Sequence, residues 1–139
     1  MNRRDVLDAM ARLGAGALLT PLLLADARAE VRAAGPVLEQ PLPHVTLDGW
    51  KMTAVEVTYA PGEVDTPHRH PGFVFGYVLD GELRFKVDGQ SETTYRSGQM
   101  FYEAPGSVHR VSGNASTTRP CRFLAMIFAD AHSPLTAPA

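Results

Sequence analysis

The sequence predicts an all-β protein. Short runs of β-branched and aromatic residues alternate with turn-forming residues at intervals of about 8–12 residues. No segment after residue 29 repeats its apolar residues with a helical period. The 139 residues include 12 glycines and 11 prolines, which divide the chain into short segments and argue against a helical bundle. We therefore expect one domain built as an antiparallel β-sandwich or β-barrel.

The first 29 residues have the parts of an export signal. The arginines Arg3-Arg4 precede an apolar stretch at residues 13–25, and Ala27-Arg28-Ala29 supplies the small residues of a signal-peptidase site. This stretch is shorter than the roughly 20 apolar residues that a membrane-spanning helix needs. Together with Val6-Leu7, the arginine pair resembles a twin-arginine signal. We expect a signal peptide at residues 1–29 and a periplasmic or secreted mature chain without membrane contact.

The predicted strands lie in residues 47–130, between a proline-broken lead-in at residues 30–46 and a C-terminal tail at residues 131–139. Each run is apolar or alternating and stops at a turn that contains glycine or proline. The predicted strands are Met52–Tyr59, Phe73–Leu79, Leu83–Val87, Glu92–Tyr95, Met100–Glu103, Val108–Ser112 and Arg122–Ala129. Asp80-Gly81 and Asp88-Gly89 are both typical of tight hairpins.

Charge and cysteine content exclude several classes of protein. Lysine and arginine number 13 against 15 acidic residues, a formal net charge of −2, and neither sign forms a long run. A nucleic acid is therefore not an expected partner, because its binders cluster basic residues on one face. The single cysteine, Cys121, excludes an internal disulfide and cysteine-rich metal sites. Because Cys121 precedes the apolar run at residues 123–129, we expect it to be buried.

Three of the five histidines can converge on one point. His68 and His70 are two residues apart on an extended segment, so their side chains point to the same face. His109 follows several predicted strands later and meets the pair if the sheet folds back on itself. Clustered imidazoles favour a shared metal or a shared proton. His44 and His132 have no such neighbours in the sequence and are expected to be solvated.

The segments around these histidines resemble the two sequence motifs of the cupin family. Residues 62–70, which end in His68-Arg69-His70, and the later Gly81 are similar to the first motif; Gly98 and residues 104–109, which end in His109, are similar to the second. The resemblance implies a small antiparallel β-barrel of the double-stranded β-helix, or jelly-roll, type. It also implies one divalent transition metal (Fe, Mn, Ni or Zn) held by His68, His70 and His109.

The chain departs from the cupin pattern at three positions. Val74 stands where the first motif has a glutamate, so the usual fourth ligand is missing. Ala104 replaces the first proline of the second motif, and the asparagine that commonly follows its histidine is displaced by one residue, to Asn114. Glu103 is the nearest substitute acid and the candidate catalytic residue. It could be a fourth ligand, a carboxylate that orients a ligand, or a general base, and the alternative is a solvated acid at a strand end.

The strand after the histidine pair is expected to line the metal pocket with Val74, Gly76 and Val78, because alternate residues share one face. Gly76 inside a strand suggests a bulge or room for a ligand. Further candidates for the pocket walls are Phe101, Tyr102, Phe123, Met126 and Phe128.

Three functions remain open at this point. The first is a metal-dependent oxygenase, for example a dioxygenase, that acts on small aromatic or enol compounds. An open three-histidine site can hold substrate and dioxygen side by side. The second is a non-enzymatic module that binds a metal or a small molecule. The third is a metal-free cupin isomerase with a histidine base. We expect a small-molecule ligand or substrate, and a homodimer that protects exposed sheet edges.

Overall fold

A computed structural model describes residues 35–139 and confirms the all-β prediction, since every regular element among these residues is a strand. The strands are β1 (Trp50–Tyr59), β2 (His68–Arg69), β3 (Phe73–Asp80), β4 (Glu82–Val87), β5 (Thr93–Arg96), β6 (Met100–Glu103), β7 (Val108–Asn114), β8 (Cys121–Asp130) and β9 (Ala137–Pro138). The predicted signal peptide lies outside the described residues. No helix in residues 35–139 is long and apolar enough to cross a membrane.

The strands form two antiparallel sheets. One has the order β1-β8-β3-β6 and the other the order β5-β4-β7-β2-β9. The ladder between β1 and β8 runs the full length of both strands, from Trp50 opposite Asp130 to Tyr59 opposite Cys121. Burial alternates along β4 and β8, as expected for strands that turn one face toward an apolar core. This core contains Val78, Leu83 and Phe101, which are almost completely buried.

The two Asp-Gly pairs have different outcomes. Asp88-Gly89 joins β4 to β5, which pair with each other, so the hairpin prediction is confirmed there. Asp80-Gly81 joins β3 to β4, which lie in different sheets, so the hairpin prediction is wrong at this position. Gly81 has a φ of 81°, and a Cβ atom there would lie 2.5 Å from the carbonyl oxygen of Pro120. The turn therefore forms a crowded corner between the sheets.

Two short strands were not predicted. His68 and Arg69 form β2, separate from β3, and this strand pairs with β7 on one side and β9 on the other. Strand β9 belongs to the segment expected to be a tail, and it forms the outer edge of the five-stranded sheet. His68 and Arg69 therefore lie directly beside the C-terminal residues Ala137 and Pro138.

Candidate metal centre

The structure brings together the three histidines that the sequence singles out. His68, His70 and His109 each offer a ring nitrogen, and these atoms lie within 4.8 Å of one another. His68 and His109 are direct partners in the ladder between β2 and β7. His70 follows β2 and is two residues from His68, so its side chain returns to the same face. His70 and His109 are buried, and His68 is partly buried.

Main-chain carbonyls fix the tautomers of two of these imidazoles. The Nδ1 atom of His68 lies 2.8 Å from the carbonyl oxygen of Thr66, and the Nδ1 atom of His70 lies 2.6 Å from that of Leu135. A carbonyl oxygen can only accept a hydrogen bond, so each Nδ1 atom carries the proton and donates it. The Nε2 atom of each ring is left with a lone pair, which is the form that binds a metal.

A buried carboxylate plays the same part for the third imidazole. Glu103 is only 2% exposed, and its Oε1 atom lies 3.2 Å from Nδ1 of His109. Its Oε2 atom lies 4.0 Å from Nε2 of His70. The possibility of a solvated acid at a strand end is therefore wrong. The contact with His109 favours Glu103 as the carboxylate that orients a ligand, while its second oxygen remains free to act on a bound molecule.

Two buried atoms of this cluster lack partners within residues 35–139. They are Nε2 of His109 and Oε2 of Glu103. Buried polar atoms normally form hydrogen bonds or bind an ion, because an unpaired one costs free energy. A divalent cation would satisfy the His109 nitrogen, and the negative charge of Glu103 would balance part of the cation's charge. Three neutral imidazole nitrogens suit Fe, Ni and Zn, and the carboxylate of Glu103 beside them is a type of group that suits Mn. The residues present therefore fit a metal ion.

The register of β3 and β6 explains the missing glutamate of the first motif. Val74 in β3 is the direct partner of Glu103 in β6. Val74 is 1% exposed and lines the same cavity as the three histidines. A carboxylate thus lies at the opposing position on the neighbouring strand, and one acid is present beside the histidines.

A cavity of about 230 Å³ adjoins the histidines between the two sheets. Its walls are mainly apolar and come from both sheets; the apolar residues are Val55, Val57, Val74, Phe101, Phe123, Ala125, Ile127 and Leu135. The buried Tyr59 hydroxyl lies 2.9 Å from Oγ of Ser112, and both residues line the cavity. Burial raises the pKa of Tyr59 to about 12, so this phenol is neutral near pH 7. The cavity therefore combines an apolar wall with a pair of neutral hydroxyls and with the carboxyl groups of Asp65 and Glu103.

Several expectations about the pocket need correction. A Cβ atom on Gly76 would lie 1.9 Å from Cζ of Phe101, so the aromatic ring fills the space that was expected to hold a bulge or a ligand. Phe101 and Phe123 line the cavity as predicted. Tyr102 and Phe128 pack instead with Phe73 and other aromatic rings outside the cavity, and Met126, a neighbour of Phe128 on β8, also lies outside it.

The remaining histidines are exposed, and Cys121 and Asn114 are buried in structural roles. His44 and His132 are exposed, as expected. Cys121 is buried and unpaired, and burial raises the pKa of its thiol. Asn114 is buried away from the histidines, and its side-chain amide donates to the carbonyl oxygens of Ala60 and Arg119 at 3.0 and 2.7 Å. Asn114 therefore holds a loop together.

Sequence reasoning missed four groups around this site. The carbonyls of Thr66 and Leu135 leave no trace in the sequence, because every residue has one. Tyr59 could have been found, because it continues the alternation of Val55 and Val57, and burial of one face of β1 then places its hydroxyl inside. Ser112 could not, because a register shift in the pairing of β4 with β7 breaks the alternation between His109 and Ser112.

Comparisons with known proteins agree with this fold and site. The sequence model of the Cupin domain family matches residues 55–127. This chain therefore belongs to the cupin family. The germin-like protein subfamily T member 3 of Arabidopsis thaliana is 33% identical over 87 residues, which cover 59% of this chain and 37% of that protein. The chain thus matches well under half of the relative's length.

Solved structures with the same fold come from several bacteria. A DMSP lyase of Ruegeria pomeroyi has a TM-score of 0.56 at 20% identity, over 63% of this chain and 43% of its own. A double-stranded β-helix protein of Klebsiella pneumoniae has a TM-score of 0.54 at 24% identity, over 63% and 74% of the two chains. The Mn(II)-containing oxalate decarboxylase of Bacillus subtilis has a TM-score of 0.54 at 24% identity, over 63% and 23%. At these identities the likeness establishes the double-stranded β-helix fold alone.

Proposed function

We propose that this chain is a metal-dependent cupin enzyme that acts on a small molecule. One divalent transition metal is held by His68, His70 and His109, and the reaction is an oxygenase reaction on an aromatic or enol compound. The observation that carries this proposal is the buried Nε2 atom of His109, which has no partner in residues 35–139 and lies in a cluster with the other two imidazoles. A metal at this position would supply a Lewis acid for an oxygen atom of the substrate.

The cavity limits the substrate to a small molecule. Its volume of about 230 Å³ is below the roughly 300–1,000 Å³ of pockets that hold drug-sized ligands. A single ring or a short enol fits this space better than a multi-ring compound. The apolar walls exclude water from the ring, and the hydroxyls of Tyr59 and Ser112 are placed to bind one polar substituent. The cavity therefore supports substrates with one apolar and one polar end.

Glu103 favours an enzyme over a binding module. Its Oε2 atom is buried, has no partner in the described chain and lies 4.0 Å from Nε2 of His70. A carboxylate oxygen left free beside a ligand site can accept a proton from a bound hydroxyl group. Binding alone does not need such a group. The second candidate, a non-enzymatic module, would be the conclusion if metal and ligand bind without turnover.

The proposal is tested first by metal content. Protein purified without chelators is expected to carry about one metal ion per chain, and replacing His68, His70 or His109 by alanine should reduce this sharply, because only two imidazoles remain. His132→Ala is the matched control, since His132 is exposed. Metal at wild-type levels in all three cluster variants would contradict the assignment of the ligands.

Turnover is tested with the protein loaded separately with Fe, Mn, Ni or Zn. Oxygen consumption is measured with a panel of single-ring phenols and short enols. Uptake that requires both the metal and one compound class supports the oxygenase. Binding of these compounds without oxygen uptake or any product points to the binding module. The Mn(II) centres of the Bacillus subtilis neighbour make Mn a natural first choice.

We also propose that the chain is exported and dimerises. The predicted cut after Ala29 is checked by N-terminal sequencing of the mature protein from its native cell, where an intact Met1 would argue against export. Replacing Arg3 and Arg4 by lysine should block export if the twin-arginine route is used. The homodimer is checked by light scattering, in which a monomer mass at tens of micromolar protein would refute it.

A further inference from the structure

The C-terminal segment, residues 134–138, reaches the metal centre through the main chain. The carbonyl oxygen of Leu135 accepts a hydrogen bond from Nδ1 of His70 at 2.6 Å. Leu135 and Thr136 also line the cavity beside the histidines. The bond joins residues 65 positions apart in the sequence. The segment therefore supplies a distant group to one of the three proposed ligands.

The other two imidazoles are oriented by different means. His68 is bound by the carbonyl of Thr66, two residues earlier in the same loop and strand. The Nδ1 atom of His109 lies 3.2 Å from Oε1 of Glu103, which is in β6 of the other sheet and is itself buried. Of the three rings, only that of His70 is hydrogen-bonded to the C-terminal segment, whereas the main chain of His68 pairs with Pro138 of the same segment. The His70 ring is thus the one whose tautomer depends on this segment.

The C-terminal segment is attached by few contacts. Within residues 35–139, strand β9 pairs only with β2, with Arg69 opposite Ala137 and His68 opposite Pro138. The Nε atom of Arg69 also donates to the carbonyl oxygen of Pro138 at 3.0 Å. Leu135 is 36% exposed although it lines the cavity. A small change at this edge can therefore release the carbonyl without disturbing the core.

We propose that the C-terminal segment positions the metal centre, with the Leu135 carbonyl holding His70 as the Nδ1–H tautomer whose Nε2 lone pair is available to the ion. This inference rests on the proposed metal site and adds to it a requirement for a segment outside the cupin motifs. Leu135 acts here as a positioning residue through its main chain. Its side chain contributes to the cavity wall but not to the tautomer.

The test compares metal affinity in variants that remove or keep this carbonyl. A chain ended at Pro134 lacks the acceptor, and Co²⁺ should bind about 10–100-fold more weakly, the usual effect of losing a group that orients a ligand. A chain ended at Thr136 is the matched control, because it also lacks β9 but keeps the Leu135 carbonyl, and it should bind Co²⁺ more tightly than the chain ended at Pro134. Thermal unfolding of each protein without metal checks that the variants fold.

A second variant keeps the test decisive if the shortened chain fails to fold. Arg69→Met removes the bond to Pro138 at full chain length and should weaken Co²⁺ binding in the same direction by a smaller factor. Nitrogen-15 NMR of the imidazole rings, recorded without metal, reports the tautomer directly. In the wild-type chain His70 should be the Nδ1–H form, and it should become a mixture in both variants, while the tautomer of His68 stays unchanged.

The outcomes separate this inference from the proposed function. If the wild-type chain binds Co²⁺ but both variants bind it within about twofold of wild type and His70 keeps its tautomer, the inference is overturned. If the wild-type chain binds neither Co²⁺ nor the other divalent metals, the proposed metal site fails. The claim that Leu135 fixes the His70 tautomer is then decided by the NMR result alone.

Discussion

Placing a second carboxylate opposite Glu103 tests how the acid of this site is supplied. Val74 and Glu103 are direct cross-strand partners, and they are 1% and 2% exposed. Val74→Glu returns the first cupin motif to its usual form while Glu103 remains. Directly opposed residues have Cβ atoms about 5 Å apart, so the variant brings two carboxylates together in a buried place.

The expected destabilisation can be worked out from this spacing. Two like charges about 5 Å apart repel by about 3 kcal/mol at an effective dielectric constant of about 20. For a domain of this size, 1 kcal/mol shifts the melting temperature by about 4–8 °C, so the metal-free variant should melt at a temperature lower by up to about 12–24 °C. This is an upper value, because one carboxyl group can keep its proton and relieve part of the repulsion.

A divalent metal should reverse this loss. Its charge offsets both carboxylates, so the rise in melting temperature on adding metal should be larger in Val74→Glu than in the wild-type chain. Thermal unfolding with and without metal measures both effects. Val74→Gln is the control for size without charge. The double exchange Val74→Glu with Glu103→Val keeps one carboxylate and should recover the part of the metal-free stability that is lost to repulsion between the two charges.

Two results would refute this reasoning. If metal-free Val74→Glu melts no lower than Val74→Gln, the two carboxylates do not share one environment. If metal stabilises Val74→Glu no more than it stabilises the wild-type chain, position 74 does not face the ion, and the correspondence between Val74 and the motif glutamate is wrong.

Three further predictions concern the same cavity. Glu103→Gln removes the charge beside His109 and should weaken Co²⁺ binding about tenfold in a titration; loss of turnover with unchanged affinity would instead make Glu103 a general base. Tyr59→Phe removes one hydroxyl from the cavity and should raise KM about five- to tenfold, the effect of losing one hydrogen bond. The metal content should stay the same. An unchanged KM would mean that the substrate does not contact this group. Gly76→Ala forces a methyl group against the ring of Phe101 and should cost about 1–3 kcal/mol of unfolding free energy. Chemical denaturation measures this cost, and Phe101→Leu in the same chain should recover part of it.

The sequence was sufficient for the parts of the site that depend on local spacing. His68 and His70 share a face because residues two apart on an extended chain always do, and this holds although they form a separate strand, β2. The side of the sheet that Glu103 faces could not be predicted in the same way. Its strand offers two faces, and only the pairing of β6 with β3 decides which one is buried.

The type of each turn and the main-chain partners of the site could not be predicted from the sequence. The pairs at residues 80–81 and 88–89 have the same letters, yet one is a hairpin and the other a corner, because the choice depends on which sheet receives the next strand. The Leu135 carbonyl could not be predicted at all. A main-chain acceptor has no characteristic residue type, and its partner, His70, lies 65 residues away.

Because His68 and His109 are direct partners in the ladder between β2 and β7, an ion bound to both would also link these two strands. Strand β2 is joined to β7 through only two residue pairs, one of which is His68 opposite His109. An ion bound to both side chains would cross-link the sheet at one of its two shortest ladders. Because the unfolded chain lacks the assembled site, the ion would bind the folded state and stabilise it. Amide protons of β2 and β9 would then exchange more slowly when the ion is bound, so hydrogen exchange at this edge would report metal occupancy residue by residue.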